Sequence, residues 1–386
     1  MMFEDGSFMN IAPEPAAGIG MCRLVAQLDG ETVRRIDPHI GFSHRGIEKL
    51  MEEQNLLQGL VLADKLNRPA PFSCVYSFVL AAEKLLGVSA PRRAACIRVM
   101  LAETGRILSH LRATANLAAD TGTDIVYPVA RKASERIYAL LDKVCLSCPL
   151  SVYIRPGGVK HDIAPQSAEL IFYWLTKELP PVLTEIEDLL TENRIFKSRT
   201  VGIGVIEAQD AVSFGFSGVN LRACGVRWDL RISEPYEIYD ALSFDMPLKT
   251  QGDCYARYLL RIFEIYQSMS IIRQILDVLP EGDVILPDFS INDDPDSLTE
   301  LSRRFELYGA GTVIPAGEVY AATESPLGEF GVFLVSNGTQ RPYRCHFRSA
   351  GFPVMQALDK LTAGCDLADV RVILSSLNLI TTETDR

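Results

Sequence analysis

Apolar residues between about residue 45 and residue 193 recur every three or four positions, which is the spacing of one face of an α-helix. This pattern predicts a helical bundle. It is interrupted where the chain carries the prolines and glycines that end helices. The interruptions fall at residues 67–71, 87–91, 120–128 and 155–158. Helices of about twenty residues can pack between them.

A β-hairpin is predicted before the bundle. Residues 20–28 and 31–37 are rich in strand-forming side chains and flank the two-residue turn Asp29-Gly30. Asp-Gly between two such segments is a strong hairpin signal. Residues 13–20 contain two prolines and two glycines, a composition that favours a loop.

The pattern changes after residue 200. Residues 200–250 carry five glycines between short segments, residues 252–279 resume the helical period, and residues 317–347 have the pattern of strands bounded by glycines and the turn Asn337-Gly338. We therefore predict a mainly helical α+β fold. Its four expected regions are an N-terminal β-hairpin or small sheet (1–42), a central helical bundle (43–199), an irregular Gly- and Arg-rich segment with a long helix (200–290), and a C-terminal α+β cap (291–386).

Composition narrows the classes of function. The 386 residues, 48% of them hydrophobic, are enough for a large core. A net charge of -11 argues against a nucleic-acid partner, because phosphate binding needs clustered Lys and Arg. No apolar run is long enough to span a bilayer, so membrane association would depend on partner proteins. Residues 1–10 lack Lys and Arg, unlike a secretory signal or a mitochondrial presequence. We expect a bacterial cytoplasmic, organelle-encoded or already processed chain.

The nine cysteines are scattered and odd in number, which indicates a reducing compartment rather than a disulfide framework. Only Cys145 and Cys148 form a CxxC pair. No second CxxC and no nearby histidine complete a tetrahedral metal site. We expect ordinary buried thiols at this pair.

Residues 37–50 are the most informative part of the chain, with the sequence Asp-Pro-His-Ile-Gly-Phe-Ser-His-Arg-Gly-Ile-Glu-Lys-Leu. This segment resembles the signature of the 49-kilodalton (D) subunit of NADH:quinone oxidoreductase, complex I. Further segments resemble the same family in the same order, so the resemblance extends over nearly the whole chain. They are residues 153–159, 202–231, 252–258 and 317–348.

The resemblance implies a fold like that of the hydrogenase large subunit and a place in a complex that transfers electrons from NADH to quinone and translocates ions. It implies no cofactor on this chain and no activity of the chain alone, with NADH, FMN and the iron-sulfur clusters on partner subunits and quinone as the substrate. The implied partners are the iron-sulfur subunit with the terminal 4Fe-4S cluster, other peripheral-arm subunits and the membrane-arm quinone-channel subunit. The implied location is peripheral, on the cytoplasmic side of a bacterial inner membrane or the matrix side of a mitochondrial one.

The related nickel-iron hydrogenases hold their metals with four cysteine thiolates. Here the first hundred residues contain only the isolated Cys22, Cys74 and Cys96, and near the C-terminus Ile380 and Glu383 stand where the hydrogenases have cysteines. Without thiolate ligands no nickel site can form. We therefore predict no metal and no hydrogenase activity.

The chain departs from the family where quinone is expected to bind. The family's loop reads HPAAHG, and one of its histidines can hydrogen-bond the quinone and deliver a proton. Here Pro15 and Ile19 occupy the histidine positions, and neither side chain can bond a carbonyl oxygen. The family also has an arginine followed three residues later by a tyrosine, and the matching positions are Lys65 and Arg68. Arg68 can donate a hydrogen bond, but its proton is effectively fixed.

Leu150 stands where the family has a histidine beside the iron-sulfur cluster. The remaining candidates for polar contacts in the cavity are His44 and Arg45, for which a structural role is equally open. A structural role is favoured for the other histidines, which are isolated: His110, His161 and His346. Two hypotheses therefore stand, a complex I subunit that walls the quinone cavity or a divergent, non-catalytic structural subunit. A soluble helical binding protein would explain the composition but not the Gly and Arg segments.

The Gly- and Arg-rich segments place charged residues among aromatic and aliphatic neighbours. Buried charges need partners, so we expect internal ion-pair and hydrogen-bond networks there. Bracing of irregular backbone is favoured over direct catalysis, because the arginine fork suits carboxylates and backbone carbonyls. The expected members are Arg222, Arg227, Asp229, Arg231, Arg341 and Arg344.

Overall fold

The computed structural model describes residues 7–11, 20–146, 150–290 and 297–386. The chain opens with a three-stranded antiparallel sheet in the order β1 (Ser7–Ile11), β2 (Arg23–Asp29) and β3 (Thr32–His39). The predicted hairpin at Asp29-Gly30 is confirmed, with Asp29 paired to Thr32. Alternate side chains of β2 are buried, so one face of the sheet packs on the core.

Helices make up most of the chain from residue 47 to residue 200. They are α1 (Ile47–Met51), α2 (Leu56–Asp64), α3 (Ser73–Leu86), α4 (Arg92–Asp120), α5 (Val126–Cys145), α6 (Pro165–Tyr173), α7 (Leu179–Leu190) and α8 (Arg194–Thr200). A π-helical turn, Trp174–Glu178, joins α6 to α7. The hairpin of β4 (Ile154–Arg155) and β5 (Gly158–Val159) occupies the predicted interruption at residues 155–158.

Helix α4 lies at the centre of the bundle. Its 29 residues are buried on almost every side, as expected of a helix that packs against neighbours all round. It contacts α5, and it contacts two later helices, α12 (Cys254–Asp277) and α16 (Leu367–Leu377). Side chains on α4 are therefore close to residues far away in the sequence.

The irregular segment and the long helix after it are also observed. Short helices punctuate the segment: α9 (Ala208–Phe214), α10 (Gly218–Arg222) and α11 (Leu230–Ser233). Helix α12 begins after Asp253, whose carboxylate accepts a hydrogen bond from the backbone N–H of Ala256 at 2.7 Å. This contact caps the helix N-terminus.

The C-terminal part follows α13 (Leu298–Phe305) and combines a three-stranded antiparallel sheet with four short helices. Its elements are β6 (Gly317–Ser325), β7 (Gly328–Ser336), β8 (Arg344–Arg348), α14 (Gly351–Gln356), α15 (Leu358–Thr362), α16 and α17 (Thr381–Asp385). The mainly helical α+β fold is confirmed. One continuous apolar cluster runs from Cys22 to Leu379, so all four predicted regions contribute to the same core. Their boundaries stay a prediction.

None of the helices in the described parts of the chain is both long and apolar enough to cross a membrane.

Candidate functional site

The signature segment between β3 and α1 is held by helix α17. The Asp385 carboxylate accepts hydrogen bonds from the backbone N–H groups of Gly41 at 2.8 Å and Ser43 at 2.7 Å. Nδ1 of His44 lies 2.7 Å from the Asp385 carbonyl oxygen. Because a carbonyl can only accept, Nδ1 of His44 carries the hydrogen. The exposed ring's other nitrogen, Nε2, has no hydrogen-bond partner among the described residues.

The same helix contacts the segment that follows α2. Arg45 in the signature donates from Nη2 to the carbonyl oxygen of Lys65 at 2.7 Å. Thr382 of α17 donates to the carbonyl oxygen of Leu66 at 2.8 Å. The backbone carbonyl of Arg68 accepts a hydrogen bond from the Tyr138 hydroxyl at 3.5 Å. The Lys65 ammonium and the Arg68 guanidinium are exposed and make no hydrogen bond or ion pair within the described parts of the chain.

Glu383, which the resemblance matches to a hydrogenase cysteine, is buried. Its carboxylate accepts hydrogen bonds from Asn67 Nδ2 at 2.6 Å, Ser349 Oγ at 3.0 Å and the Ala350 backbone N–H at 3.1 Å. Burial raises the pKa of Glu383 in spite of these hydrogen bonds. The carboxyl group thus joins three segments of the chain, one of which is adjacent to Arg68.

Two thiols lie close to this C-terminal helix. Burial and the nearby Asp385 raise the pKa of Cys22 to about 11. Burial and Glu383 raise the pKa of Cys74 well above its usual value. Both groups are therefore neutral thiols at neutral pH, whereas metals bind the thiolate. No group of three or more His, Cys, Asp or Glu side chains in the described residues could hold a metal ion.

The loop that carries Pro15 and Ile19 lies outside the described residues. Gly20, which follows it, has φ +94°, and a side chain there would collide with the hydroxyl of Thr381 in α17. Thr381 in turn lies beside Ser43, with 3.4 Å between their hydroxyl oxygens. The end of the loop is therefore placed next to the signature segment. Leu150 begins the 3-10 helix Leu150–Tyr153, which contacts α2 and α5.

We call the face formed by His44, Arg45, Lys65 and Arg68 the signature face. All four residues are exposed. Hydrogen bonds with α17 hold the nearby backbone at Gly41, Ser43 and Leu66. The arrangement offers exposed cations and one imidazole nitrogen to a ligand or a neighbouring chain.

A second set of charged side chains lies deep in the core around Arg222. Its guanidinium is 2.6 Å from Glu264, 2.7 Å from Glu324 and 3.3 Å from Asp229. Arg231 lies 2.7 Å from the same Asp229. Burial alone would raise the pKa of Asp229, but Arg231 and Arg222 outweigh it and lower the value to about 2.

Glu103 on α4 extends this set. It lies 3.2 Å from Arg231 and 3.2 Å from Arg106, and it accepts hydrogen bonds from Tyr239 and Ser268 at 2.6 Å each. The two arginines outweigh burial and lower the pKa of Glu103 to about 2. We call these residues the buried cluster: Glu103, Arg106, Arg222, Asp229, Arg231, Glu264 and Glu324.

His110 lies at the edge of the buried cluster and is fully buried. Its Nε2 is 2.9 Å from the Glu264 carboxylate. Burial lowers the pKa of His110 to about 4 although the contact with Glu264 opposes this effect. The two other histidines for which a structural role is expected lie elsewhere. His161 accepts a hydrogen bond through its backbone carbonyl from Tyr153, and His346 lies 3.0 Å from Glu48.

The expectation of burial is wrong for three of the six network residues. Arg227 is exposed in the loop that follows Gly225, and Arg341 is exposed in the turn between β7 and β8. Arg344 lies on β8 with a side chain 49% exposed and pairs at the surface with Glu52 at 3.0 Å. Pro342 and Cys345 beside Arg341 and Arg344 are buried, but Trp228 beside Arg227 and Tyr343 beside Arg344 are exposed, so apolar neighbours in sequence do not imply burial here. Cys145 is buried with a pKa of about 12, and Cys148 lies outside the described residues.

Comparison with known proteins gives a single family. Residues 120–386 match the model of the respiratory-chain NADH dehydrogenase 49 Kd subunit. The D subunit of the Caulobacter vibrioides NADH-quinone oxidoreductase is 45% identical, covering 98% of this chain and 96% of the relative. The corresponding protein of Rhodopseudomonas palustris is 45% identical over 98% of both chains, and that of Acidiphilium cryptum is 43% identical over 99% and 95%. The chain therefore belongs to the 49-kDa subunit family of the respiratory-chain NADH dehydrogenase.

Proposed function

We propose that this chain is the 49-kDa subunit of a complex I-like NADH:quinone oxidoreductase and that its signature face forms part of the quinone-reduction cavity. The observation that carries the proposal is that α17 binds both the signature segment and residues 65–68. Nε2 of His44 and the charged ends of Lys65 and Arg68 have no hydrogen-bond partner among the described residues. The relatives that match nearly the whole chain are named as subunits of NADH-quinone oxidoreductase, which supports the assembly. Electron transfer from NADH to quinone and ion translocation belong to the whole complex.

His44 is the residue in this face that is best placed to deliver a proton. Its Nδ1 is bound to the Asp385 carbonyl oxygen, which fixes the ring and leaves Nε2 for a ligand. A histidine protonated at Nε2 can donate a hydrogen bond to a quinone oxygen and transfer the proton to it. Arg68 and Arg45 can orient the quinone by hydrogen bonds but do not give up protons. We propose that this division of roles replaces the family's loop histidine and tyrosine.

The same proposal assigns the partners. The iron-sulfur subunit with the terminal 4Fe-4S cluster would cover the cavity from the side of Leu150, and other peripheral-arm subunits would carry NADH, FMN and the remaining clusters. A membrane-arm subunit would supply the channel through which quinone enters. The chain would then lie peripherally on the cytoplasmic face of a bacterial membrane or the matrix face of a mitochondrial one.

A second candidate function is that of a structural subunit without a catalytic part. It is favoured by Pro15, Ile19 and Arg68, which stand where the family has its two histidines and its tyrosine. The scaffold would persist in this case while proton delivery to quinone is lost. The two functions predict opposite results for the activity of the assembled complex.

The test is quinone reduction by the purified complex, with inhibitor sensitivity recorded. His44→Asn keeps a donor for the Asp385 carbonyl but removes Nε2, and we expect a loss of roughly 100-fold, the range of general-acid catalysis. The matched control His39→Asn changes an exposed histidine on β3, 3.4 Å from Asp37, and should leave the rate unchanged.

An assembled complex that reduces no quinone would favour the structural role. The double change Ile19→His and Arg68→Tyr should then restore activity. If His44→Asn and His39→Asn behave alike in an active complex, His44 does not deliver the proton. If no iron-sulfur subunit co-purifies with the chain, the complex I assignment itself is wrong.

A further inference from the structure

A cavity of about 860 Å³ opens on a part of the molecule that does not include the signature face. It lies between the C-terminal half of α3, the start of α4, residues 234–241 and β6. Apolar side chains such as Leu80, Val88 and Ile238 form part of its wall. The proposed quinone chemistry does not use this cavity.

Glu237 lines the cavity and is held in an unusual conformation. Its side chain is only 7% exposed and its φ is +54°, a left-handed value that residues other than glycine rarely adopt. Such strain persists where the surrounding structure holds the residue in place, and it clusters at binding sites. Burial raises the pKa of Glu237 although the nearby Arg98 opposes this effect.

Arg98 forms ion pairs with two carboxylates, those of Glu83 and Glu237. It lies 2.7 Å from Oε1 of Glu237 and 2.5 Å from Glu83, and it also donates to the backbone carbonyls of Arg155 and Gly158. Glu83 is further satisfied by the backbone N–H of Gly157 at 2.7 Å. The second oxygen of Glu237 has no hydrogen-bond partner among the described residues. A largely buried carboxylate with one oxygen unpaired is a site for a donor.

Acidic side chains predominate among the charges around the cavity. Glu234 and Asp240 are exposed at its rim, in addition to the two buried glutamates. The basic side chains in the wall are Lys84, whose ammonium donates to the Tyr320 carbonyl at 3.1 Å, and Arg92. Carboxylates therefore outnumber cations here even when Arg98 is included.

We propose that this cavity receives a lysine or arginine side chain of another subunit of the complex, which pairs with the free oxygen of Glu237. The apolar wall suits the aliphatic part of such a side chain, and the acidic rim attracts its charged end. A protein partner fits better than a free small cation, because the chain belongs to a family of subunits of a larger assembly. The inference depends on assembly and not on the proposed quinone chemistry.

The direct test is site-specific cross-linking in the assembled complex. A photoreactive p-benzoylphenylalanine placed at Ala241, an exposed residue of the cavity wall, should cross-link to a second subunit. Mass spectrometry of the cross-linked peptide should show a lysine or arginine within reach of the cavity. Cross-links confined to this chain, no cross-link in a complex shown to contain its other subunits, or a peptide without a basic residue would overturn the proposal.

A charge-removing variant gives an independent measurement. Glu237→Gln keeps the size of the side chain and one hydrogen-bond acceptor. In complexes that have not been cross-linked, we expect the subunit identified by cross-linking to dissociate at least about tenfold faster in a salt wash, as when a buried interfacial charge pair is broken. Glu281→Gln changes an exposed acid outside the cavity and should leave the dissociation rate as it is. Equal rates for the two variants would contradict the proposal. Quinone reductase activity of the same preparations reports separately on the proposed function.

Discussion

The signature face and the buried cluster both contain arginines but use the hydrogen-bonding groups of those arginines differently. In the buried cluster Arg222 contacts three carboxylates within 3.3 Å. In the signature face Arg45 donates to a backbone carbonyl, and the charged ends of Lys65 and Arg68 make no hydrogen bond or ion pair with a described residue. Charge in the buried cluster stabilises the fold, whereas charge in the signature face is available to a ligand or a partner.

The free-energy cost of burying a charge explains why arginines are paired with carboxylates in the buried cluster and not in the signature face. A buried ion is costly unless it is paired and hydrogen-bonded, so the core tolerates Arg222 only together with its carboxylates. An exposed ion keeps its hydration and needs no partner. Substitutions in the two regions should therefore have different consequences, mainly for stability in the buried cluster and mainly for binding or activity in the signature face.

The largest effect is expected for Arg222→Met. The change leaves Glu264 and Glu324 without their closest cation, and removing one partner of a buried pair costs about 3–5 kcal/mol. Denaturant unfolding of the full chain measures the loss. Arg227→Met, five residues further along and exposed, should stay within about 0.5 kcal/mol of the unaltered protein. Equal losses for both variants would mean that burial does not decide how much an arginine contributes to stability.

The pH dependence of the buried cluster comes next. The folded pKa of His110 is about 4, below the ordinary value of 6.5. Between pH 6.5 and about pH 4, His110 binds a proton in the unfolded chain but not in the folded protein, so folding stability decreases as the pH falls. A shift of this size corresponds to about 3 kcal/mol. Between pH 6.5 and about pH 4 the unaltered protein should therefore lose about 3 kcal/mol more of its unfolding free energy than His110→Gln does. Parallel stability curves for the two proteins would contradict the prediction.

Local signals in the sequence predicted much of the fold. The Asp29-Gly30 turn marks its hairpin, the glycines and prolines mark the ends of α3 and α4, and the apolar period marks α12. These signals are readable because each depends on residues close together in the chain. The predicted strands of residues 317–347 are observed for the same reason.

Contacts between distant segments were not readable in this way. Glu103 pairs with Arg231 across 128 residues, and Asp385 binds the Gly41 N–H across 344 residues. Apolar neighbours suggested burial for Arg227 as strongly as for Arg222, because composition does not show which side chains turn inward. A charged residue within an apolar helical stretch, such as Glu103 on α4, is the signal that could have located the buried cluster.

A smaller effect is expected where α17 holds the signature segment. Asp385→Ala leaves the backbone N–H groups of Gly41 and Ser43 without their acceptor, at a cost of about 1–3 kcal/mol. Hydrogen exchange at these two amides should accelerate. Asp366→Ala removes the exposed carboxylate of the residue before α16, which makes no capping hydrogen bond, and should leave both amides unchanged. Unchanged exchange in Asp385→Ala would mean that α17 does not hold the signature segment.

The smallest effect is expected for Arg344→Met. The guanidinium pairs with Glu52 at 3.0 Å, but its side chain is about half exposed, and surface pairs contribute about 0–1 kcal/mol. Added salt should abolish the difference in unfolding free energy between this variant and the unaltered protein, because ions screen exposed charges. A loss as large as that of Arg222→Met would show that exposure does not decide the contribution of an arginine here. If the loss for Arg344→Met is small, Arg68→Met should leave stability unchanged, because it removes an exposed arginine with no ion pair among the described residues. A decrease in quinone reduction by Arg68→Met would then reflect weaker quinone binding and not a loss of stability.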